Sequence, residues 1–147
     1  MTKLVRDVMK IGVPVCTRAT TLANVARLMA QERATAIIVM DEFGACGVVS
    51  QTDLLQAFTR NYELLTAEEV MTDVIYSVSP DAPITTAAHM MLDERVHQVF
   101  VMHDHPGPAR PSAVVTLNAL VREMAGLEPE KPQMVRPPRA ANKPVSN

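Results

Sequence analysis

The chain has 147 residues, of which 48% are hydrophobic, 20% charged and 3% aromatic, with a net charge of −2 and two cysteines. This length and apolar share fit one compact domain, while the scarcity of aromatic side chains and the acidic balance disfavour nucleic-acid binding. The cysteines lack metal-ligand spacing and the density of a secreted disulfide scaffold. The sequence contains no signal-peptide pattern and no apolar run of 18 residues, so we expect a cytoplasmic protein with no membrane contact.

The first half of the chain predicts strand, helix, strand, strand and helix in that order. A short extended segment over residues 13–17 precedes a helix that Thr20 or Thr21 can cap and that runs to about residue 33. Residues 36–40 predict a buried strand, residues 41–44 a tight turn and residues 45–50 the returning strand. Thr52 opens a second helix, to about residue 61. The inward stripe of the first helix has the spacing i, i+3, i+4, i+7 and comprises Leu22, Val25, Ala26 and Met29.

The second half repeats this pattern at an offset of 62 residues. Eight positions are identical between residues 8–40 and 70–102, where chance would give roughly two. The predicted elements of the second copy are residues 77–79, 83–95, 98–102, 112–116 and 118–125. One copy of about 60 residues buries too little surface to be comfortably stable alone, so the repeats 1–62 and 63–127 should pack together. Their seam is a natural place for a ligand.

Two segments depart from the repeat. The second hairpin is four residues longer and contains His103, Asp104 and His105. Three adjacent ligands in a flexible turn rarely converge on one ion, so we expect a solvated loop and no metal. After Leu127 the chain is rich in proline and lacks apolar periodicity, which predicts a disordered tail over residues 128–147.

The stretch from Gly47 to Asp53, GVVSQTD, resembles a motif of tandem cystathionine β-synthase (CBS) domains, also called Bateman modules. The lead-ins at residues 7–9 and 69–71 share this resemblance, which extends over about residues 5–125. It implies an α/β fold in which two β-α-β-β-α repeats pack about a pseudo-twofold axis.

The resemblance also implies a ligand site. Such pairs bind adenosine-containing ligands, most often AMP, ADP or ATP, with the motif's Asp on the ribose hydroxyls and its Ser or Thr near the phosphates. Here those positions are Ser50, Thr52 and Asp53. A carboxylate can accept two hydroxyl donors, and a hydroxyl at a helix start suits an anion. The alternative is that these residues only cap the helix.

The second copy keeps the hydroxyl of this motif as Thr116 but has Ala119 in place of the aspartate. We therefore predict one nucleotide per chain, with the second cleft empty or weak.

Adenine in the family usually lies against the leading strand of a repeat. The resemblance therefore implies that adenine contacts the leading strand of the first copy, at Val13, Val15, Cys16 and Thr17. The alternative for Val13 and Val15 is a place in the core, and for Cys16 inert packing.

Phosphate contacts in the family commonly come from just before the first hairpin strand. The segment from Arg95 to Gln98 resembles that place, and we predict nucleotide contacts from His97 and Gln98, with His97 facing the phosphates across the seam from Ser50 and Asp53. The alternative for His97 is an interaction with the carbonyls of the helix end. We expect Arg95 to be a helix-end charge.

These inferences together predict a regulatory adenine-nucleotide sensor that is not an enzyme and has no obligatory cofactor. The resemblance also implies a homodimer formed through the helices of both repeats, and an unidentified regulated protein as a further partner. One alternative is a dimerisation or docking module without a ligand, and another is a binder of S-adenosylmethionine or NAD. A catalytic or metal function of the histidine loop is the third.

Overall fold

The structure, a computed structural model, describes residues 3–102 and 109–130. The first half contains α1 (Val5–Val8), β1 (Lys10–Ile11), β2 (Val15–Thr17), α2 (Leu22–Glu32), β3 (Ala36–Asp41), β4 (Gly44–Ser50), α3 (Gln51–Phe58) and a 3-10 turn (Tyr62–Leu64). The second half contains α4 (Ala67–Val70), β5 (Ser77–Val78), α5 (Ile84–Glu94), β6 (Gln98–Met102), β7 (Pro111–Thr116) and α6 (Leu117–Met124). The predicted histidine loop at residues 103–105 lies outside the described residues.

The strands form two sheets that repeat one arrangement. In the first sheet, β2 is parallel to β3 and β3 is antiparallel to β4. In the second, β5 is parallel to β6 and β6 is antiparallel to β7. The ladder pairs Ala36 with Ser50 in the first sheet and Gln98 with Thr116 in the second. The predicted α/β fold of two β-α-β-β-α repeats is therefore confirmed.

Helix α2 begins at a capping signal present in the sequence, whereas α5 begins after Pro83 without a side-chain cap. The Thr21 hydroxyl caps α2 by accepting a hydrogen bond from the Asn24 amide at 3.3 Å. Both helices end at an arginine in the left-handed region, Arg33 with φ 51° and Arg95 with φ 55°. The predicted inward stripe of α2 is buried except for Ala26, which is exposed.

The lead-in helices are exchanged between the two halves. The N-terminal α1 packs into the core of the second half, where Val5 and Val8 are buried, and β1 pairs with β7. Conversely, α4 buries Ala67 in the core of the first half, and the Ala67 amide donates to the Thr20 carbonyl at 2.8 Å. The sequence repeat divides at residue 62, but the packing units interleave across that boundary.

A third cluster of buried side chains joins the two sheets. It consists of Ala36, Ile38, Val48 and Phe100, with Val13 and Val15 packed against it. Because Phe100 belongs to the second sheet and the other buried members to the first, this cluster is the seam predicted between the repeats. Two clefts open along it.

The chain after α6 folds back onto that helix. The Arg122 guanidinium donates to the Glu128 carbonyl from Nε at 3.0 Å and from Nη2 at 2.7 Å. Asn118 Nδ2 donates to Glu130 Oε1 at 2.8 Å. The first three residues of the predicted tail, 128–130, are therefore held against α6 by donors that the sequence pattern did not reveal. Residues 131–147 lie outside the described part of the chain.

Among the helices of the described residues, none is long and apolar enough to cross a membrane.

Candidate functional site

The first cleft has a volume of about 490 Å³, within the range of about 300–1,000 Å³ usual for small-molecule sites. Its floor is formed by buried side chains, those of Val48, Gln98 and Phe100. Half-buried residues line its walls, among them Ser50, Asp53, Tyr76 and Val96. Exposed residues surround its mouth, including Thr52, Thr72, Val74, Arg95 and His97. The cleft thus grades from a floor of two apolar side chains and one amide to a polar mouth that includes a guanidinium.

Ser50 and Asp53 form a reciprocal cap at the start of α3. The Asp53 amide donates to Ser50 Oγ at 3.2 Å. In return Asp53 Oδ2 accepts from the Ser50 amide at 2.8 Å and from Ser50 Oγ at 3.0 Å. All of these carboxylate contacts use Oδ2, and Oδ1 makes no hydrogen bond to any described residue. The capping role is therefore present in the structure and leaves one carboxylate oxygen available to another donor.

The left-handed end of α5 directs residues 95–98 toward the cleft. Arg95 makes the turn, and the His97 carbonyl accepts from the Leu117 amide at 3.0 Å, which holds this segment against the start of α6. An arginine at positive φ is uncommon, and such backbone is found disproportionately at functional sites. Arg95, which we expected to be a helix-end charge that could also reach inward, lies at the cleft mouth beside His97.

Gln98 begins β6 at the bottom of this segment and is only 6% exposed. Its Oε1 is buried and has no hydrogen-bond partner among the described residues. A buried polar atom without a partner costs about 1–3 kcal/mol, so such atoms are rare in folded proteins. This is the one side-chain oxygen or nitrogen of the described residues with that property.

The segment over residues 72–76 completes the cleft and was not predicted. The Thr72 amide donates to the Val48 carbonyl at 2.9 Å, and the Phe100 amide donates to the Tyr76 carbonyl at 2.9 Å, so the segment is tied to both sheets. Glu94 interacts with the Tyr76 hydroxyl and raises the pKa of that phenol. The repeat offset could have indicated this wall, since Thr72, Val74 and Tyr76 correspond to residues 10, 12 and 14.

Gly47 permits the close approach of the chain just before this segment. A Cβ at Gly47 would lie 2.6 Å from Met71 Sδ and 3.0 Å from the Thr72 carbonyl oxygen. The glycine of the motif therefore positions the wall of the cleft.

The second cleft, of about 830 Å³, holds two of the residues predicted for adenine. Val13 and Val15 line it together with Thr116, Asn118 and Ala119. We had predicted that Val13 and Val15 share a cleft with Ser50 and Asp53, but the structure places the two pairs in different clefts. The reason is that the motif of each half faces the leading segment of the other half. Their contact with a ligand stays a prediction.

Cys16 and Thr17, which follow Val15 in β2, line neither cleft. Cys16 lies in the core of the first half, where burial raises the pKa of its thiol to about 11. The Thr17 hydroxyl is 3.1 Å from the Thr20 hydroxyl in the turn before α2.

The two clefts differ at three equivalent polar positions. In the first cleft these positions hold a carboxylate, an imidazole and an amide, and in the second they hold small side chains. The equivalent pairs are Asp53 and Ala119, His97 and Thr35, and Gln98 and Ala36. The motif's carboxylate, the imidazole and the buried amide thus belong to the first cleft alone, although Lys10, Arg33 and Asn118 also give the second cleft polar groups. Over the described ranges, no group of three His, Cys, Asp or Glu side chains could hold a metal ion.

Solved structures with this architecture include the CBS domain pair of protein MJ0100 in complex with 5′-methylthioadenosine and S-adenosyl-L-methionine. It is 21% identical, with a TM-score of 0.77, over 86% of this chain and 98% of that one. An uncharacterised conserved protein from Pyrococcus horikoshii is 17% identical, with a TM-score of 0.72, over 89% and 98%. Hypoxic Response Protein I, solved with two coordinated zinc ions, is 23% identical, with a TM-score of 0.65, over 82% and 98%.

At these identities the solved structures support the fold alone, and no curated protein matches the sequence. The sequence profile of the CBS domain matches twice, over residues 5–60 and 67–126. These matches cover most of the chain and coincide with the two interleaved halves of the structure. The chain belongs to the CBS domain family and contains two copies of the domain.

Proposed function

We propose that the chain is a regulatory, non-catalytic module that binds one adenosine-containing ligand in the first cleft. The observation that carries this proposal is the difference between the clefts, since only the first combines Asp53, His97 and Gln98 over an apolar floor. The complex of the MJ0100 domain pair with two adenosyl compounds supports the same ligand class. AMP, ADP and ATP are the ligands that we propose to test first.

The grading of the cleft suggests how such a ligand would lie. The apolar floor suits a purine ring, and Asp53 Oδ1 is available for the ribose hydroxyls. At the mouth, the start of α3 at Ser50, the Arg95 guanidinium and the His97 imidazole would donate hydrogen bonds to a phosphate. Among the described residues that line this cleft, the cationic side chain, Arg95, lies at the mouth, so we place the phosphate end toward solvent.

We further propose a homodimer formed through α3 and α6. These helices expose apolar side chains at positions that correspond under the repeat, Leu55 with Val121 and Phe58 with Met124. Their exposed fractions are 67%, 58%, 67% and 88% respectively. Apolar side chains in equivalent exposed positions are suited to a self-complementary interface. The regulated protein and the cytoplasmic location stay predictions from the sequence.

The proposed function is tested by calorimetry on the purified chain. AMP, ADP, ATP, S-adenosylmethionine and 5′-methylthioadenosine are titrated separately, with GMP as the purine control. We expect at least one adenosine compound to bind with one site per chain. If none binds, the cap formed by Ser50 and Asp53 is purely structural, and the chain is a dimerisation or docking module.

A further inference from the structure

The buried amide of Gln98 is not explained by the fold. Its side chain is 94% buried, and its Oε1 lacks a hydrogen-bond partner among the described residues. The equivalent position in the second cleft is Ala36, which is equally buried and carries no polar group. The fold therefore accepts a small apolar side chain at this place. The presence of a glutamine at the start of β6 is thus not required by packing.

The depth of Gln98 decides which part of a ligand it can meet. It lies on the floor with Val48 and Phe100, which are 6% and 2% exposed, whereas Arg95 and His97 lie at the exposed mouth. A phosphate keeps most of its hydration at the mouth, while a flat heterocycle gains from burial between apolar side chains. The group that reaches Gln98 is thus the base of the ligand.

We propose that Gln98 is the specificity-determining residue of the cleft and recognises adenine through its 6-amino edge. This inference rests on the proposed function. A terminal amide presents one acceptor and one donor side by side, which match the 6-amino hydrogen and an adjacent ring nitrogen of adenine. The ligand's amino group then supplies the missing partner of Oε1. Gln98 recognises the base, while Asp53 and the mouth hold the ribose and phosphate.

The test is a double-mutant cycle in which one change is made in the ligand. AMP is compared with purine riboside 5′-monophosphate, which lacks the 6-amino group, on the wild-type chain and on Gln98→Met. For the wild type we expect the analogue to bind about 10- to 100-fold more weakly than AMP, because Oε1 is again left unpaired. For Gln98→Met the two ligands should bind within about twofold of each other.

A second measurement checks that the substituted chain folds and that the unpaired Oε1 of Gln98 destabilises the ligand-free protein. Without ligand, Gln98→Met should melt about 2–6 °C higher than the wild type, since an unpaired buried oxygen is removed. Gln98→Leu provides a second apolar variant if methionine does not fit. Gln31→Met, at an exposed position of α2 outside both clefts, is the matched control that should leave the AMP-to-analogue ratio unchanged.

The outcomes separate this inference from the proposed function. If the wild type binds no adenosine compound, both are overturned. If the wild type binds AMP but the 6-amino group contributes equally in wild type and Gln98→Met, only the role of Gln98 is overturned. A change confined to the ratio of AMP to adenosine would place Gln98 at the phosphate and overturn the inference in the same way.

Discussion

Replacing Asp53 with alanine should separate the two roles of its carboxylate. Oδ2 holds the helix start through the Ser50 amide and hydroxyl, at 2.8 and 3.0 Å. Asp53 lines the cleft, and its Oδ1 has no hydrogen-bond partner among the described residues. Loss of a capping side chain costs about 1 kcal/mol, which corresponds to a melting temperature about 3–6 °C lower for a domain of this size. Removing a charged hydrogen-bond acceptor from a bound ligand costs about 1.5–3 kcal/mol, or about 10- to 150-fold in affinity.

The second half of the chain provides a matched control. The Thr116 hydroxyl caps α6 by accepting from the Ala119 amide at 3.1 Å, at the position equivalent to Ser50. Thr116→Ala should therefore lower the melting temperature by a similar amount and leave the affinity for AMP unchanged. Calorimetry and thermal melts are measured on both variants and on the wild type.

Three results would refute this reasoning. Undiminished AMP binding by Asp53→Ala would show that the carboxylate does not contact the ligand. Equal affinity losses in Asp53→Ala and Thr116→Ala would show that the effect is transmitted through stability. Two equivalent sites per wild-type chain would contradict the asymmetry of the clefts.

The structure makes four further predictions. Gly47→Ala should destabilise the fold by about 1–3 kcal/mol in urea titrations, because the new Cβ would lie 3.0 Å from the Thr72 backbone carbonyl oxygen, and an unchanged midpoint would show that the wall yields freely. His97→Ala should weaken AMP binding about 3- to 10-fold in calorimetry and leave adenosine binding unchanged, because the exposed imidazole lies at the cleft mouth; equal losses for the two ligands would remove His97 from the phosphate site. Val121→Glu should convert the expected dimer to a monomer in sedimentation experiments, and a dimer that persists would place the interface elsewhere. Burial raises the pKa of the Cys16 thiol to about 11, above the unfolded value of about 8.5, so the stability it contributes is present below that value and lost as the pH rises toward 11. The free energy of unfolding from urea titrations should therefore fall less between pH 8 and pH 10.5 in Cys16→Ala than in the wild type. Equal decreases in the two proteins would contradict the raised pKa of this thiol.

Local patterns were sufficient to predict most of the fold. The repeat offset, the apolar spacing of α2 and the cap at Thr21 are short-range signals, and each corresponds to an element of the structure. The exchange of α1 and α4 between halves was not predicted, because the repeat shows that two copies exist and does not show which lead-in packs against which core. That choice depends on tertiary packing, such as the burial of Val5 among side chains of the second half.

The sequence predicted which residues of each half line a cleft, but it did not predict which leading segment lies beside which motif. Ser50, Asp53, His97 and Gln98 share one cleft as the motif and the resemblance suggested. Val13 was assigned to the same cleft because it belongs to the same repeat, whereas the pseudo-twofold arrangement brings the leading segment of the other repeat there. The unpaired state of Gln98 Oε1 is a property of three-dimensional burial that residue types and spacing do not reveal.

The position of α3 suggests how occupation of the cleft could reach a partner. A ligand alters a protein only through interactions that differ between two states, and such interactions must connect to the surface that is regulated. The first turn of α3, at Ser50 and Asp53, lines the cleft, while Leu55 and Phe58 on the same short helix are exposed on the face that we propose for the dimer. A ligand that bridges this turn and residues 72–76, which are tied to both sheets, would fix the helix relative to both halves. Because α3 is only eight residues long, a shift at its first turn is carried to the dimer face without any intermediate element. We therefore expect ligand binding and dimer stability to be coupled, so that saturating AMP changes the dimer dissociation constant of the wild type and leaves that of Asp53→Ala unchanged.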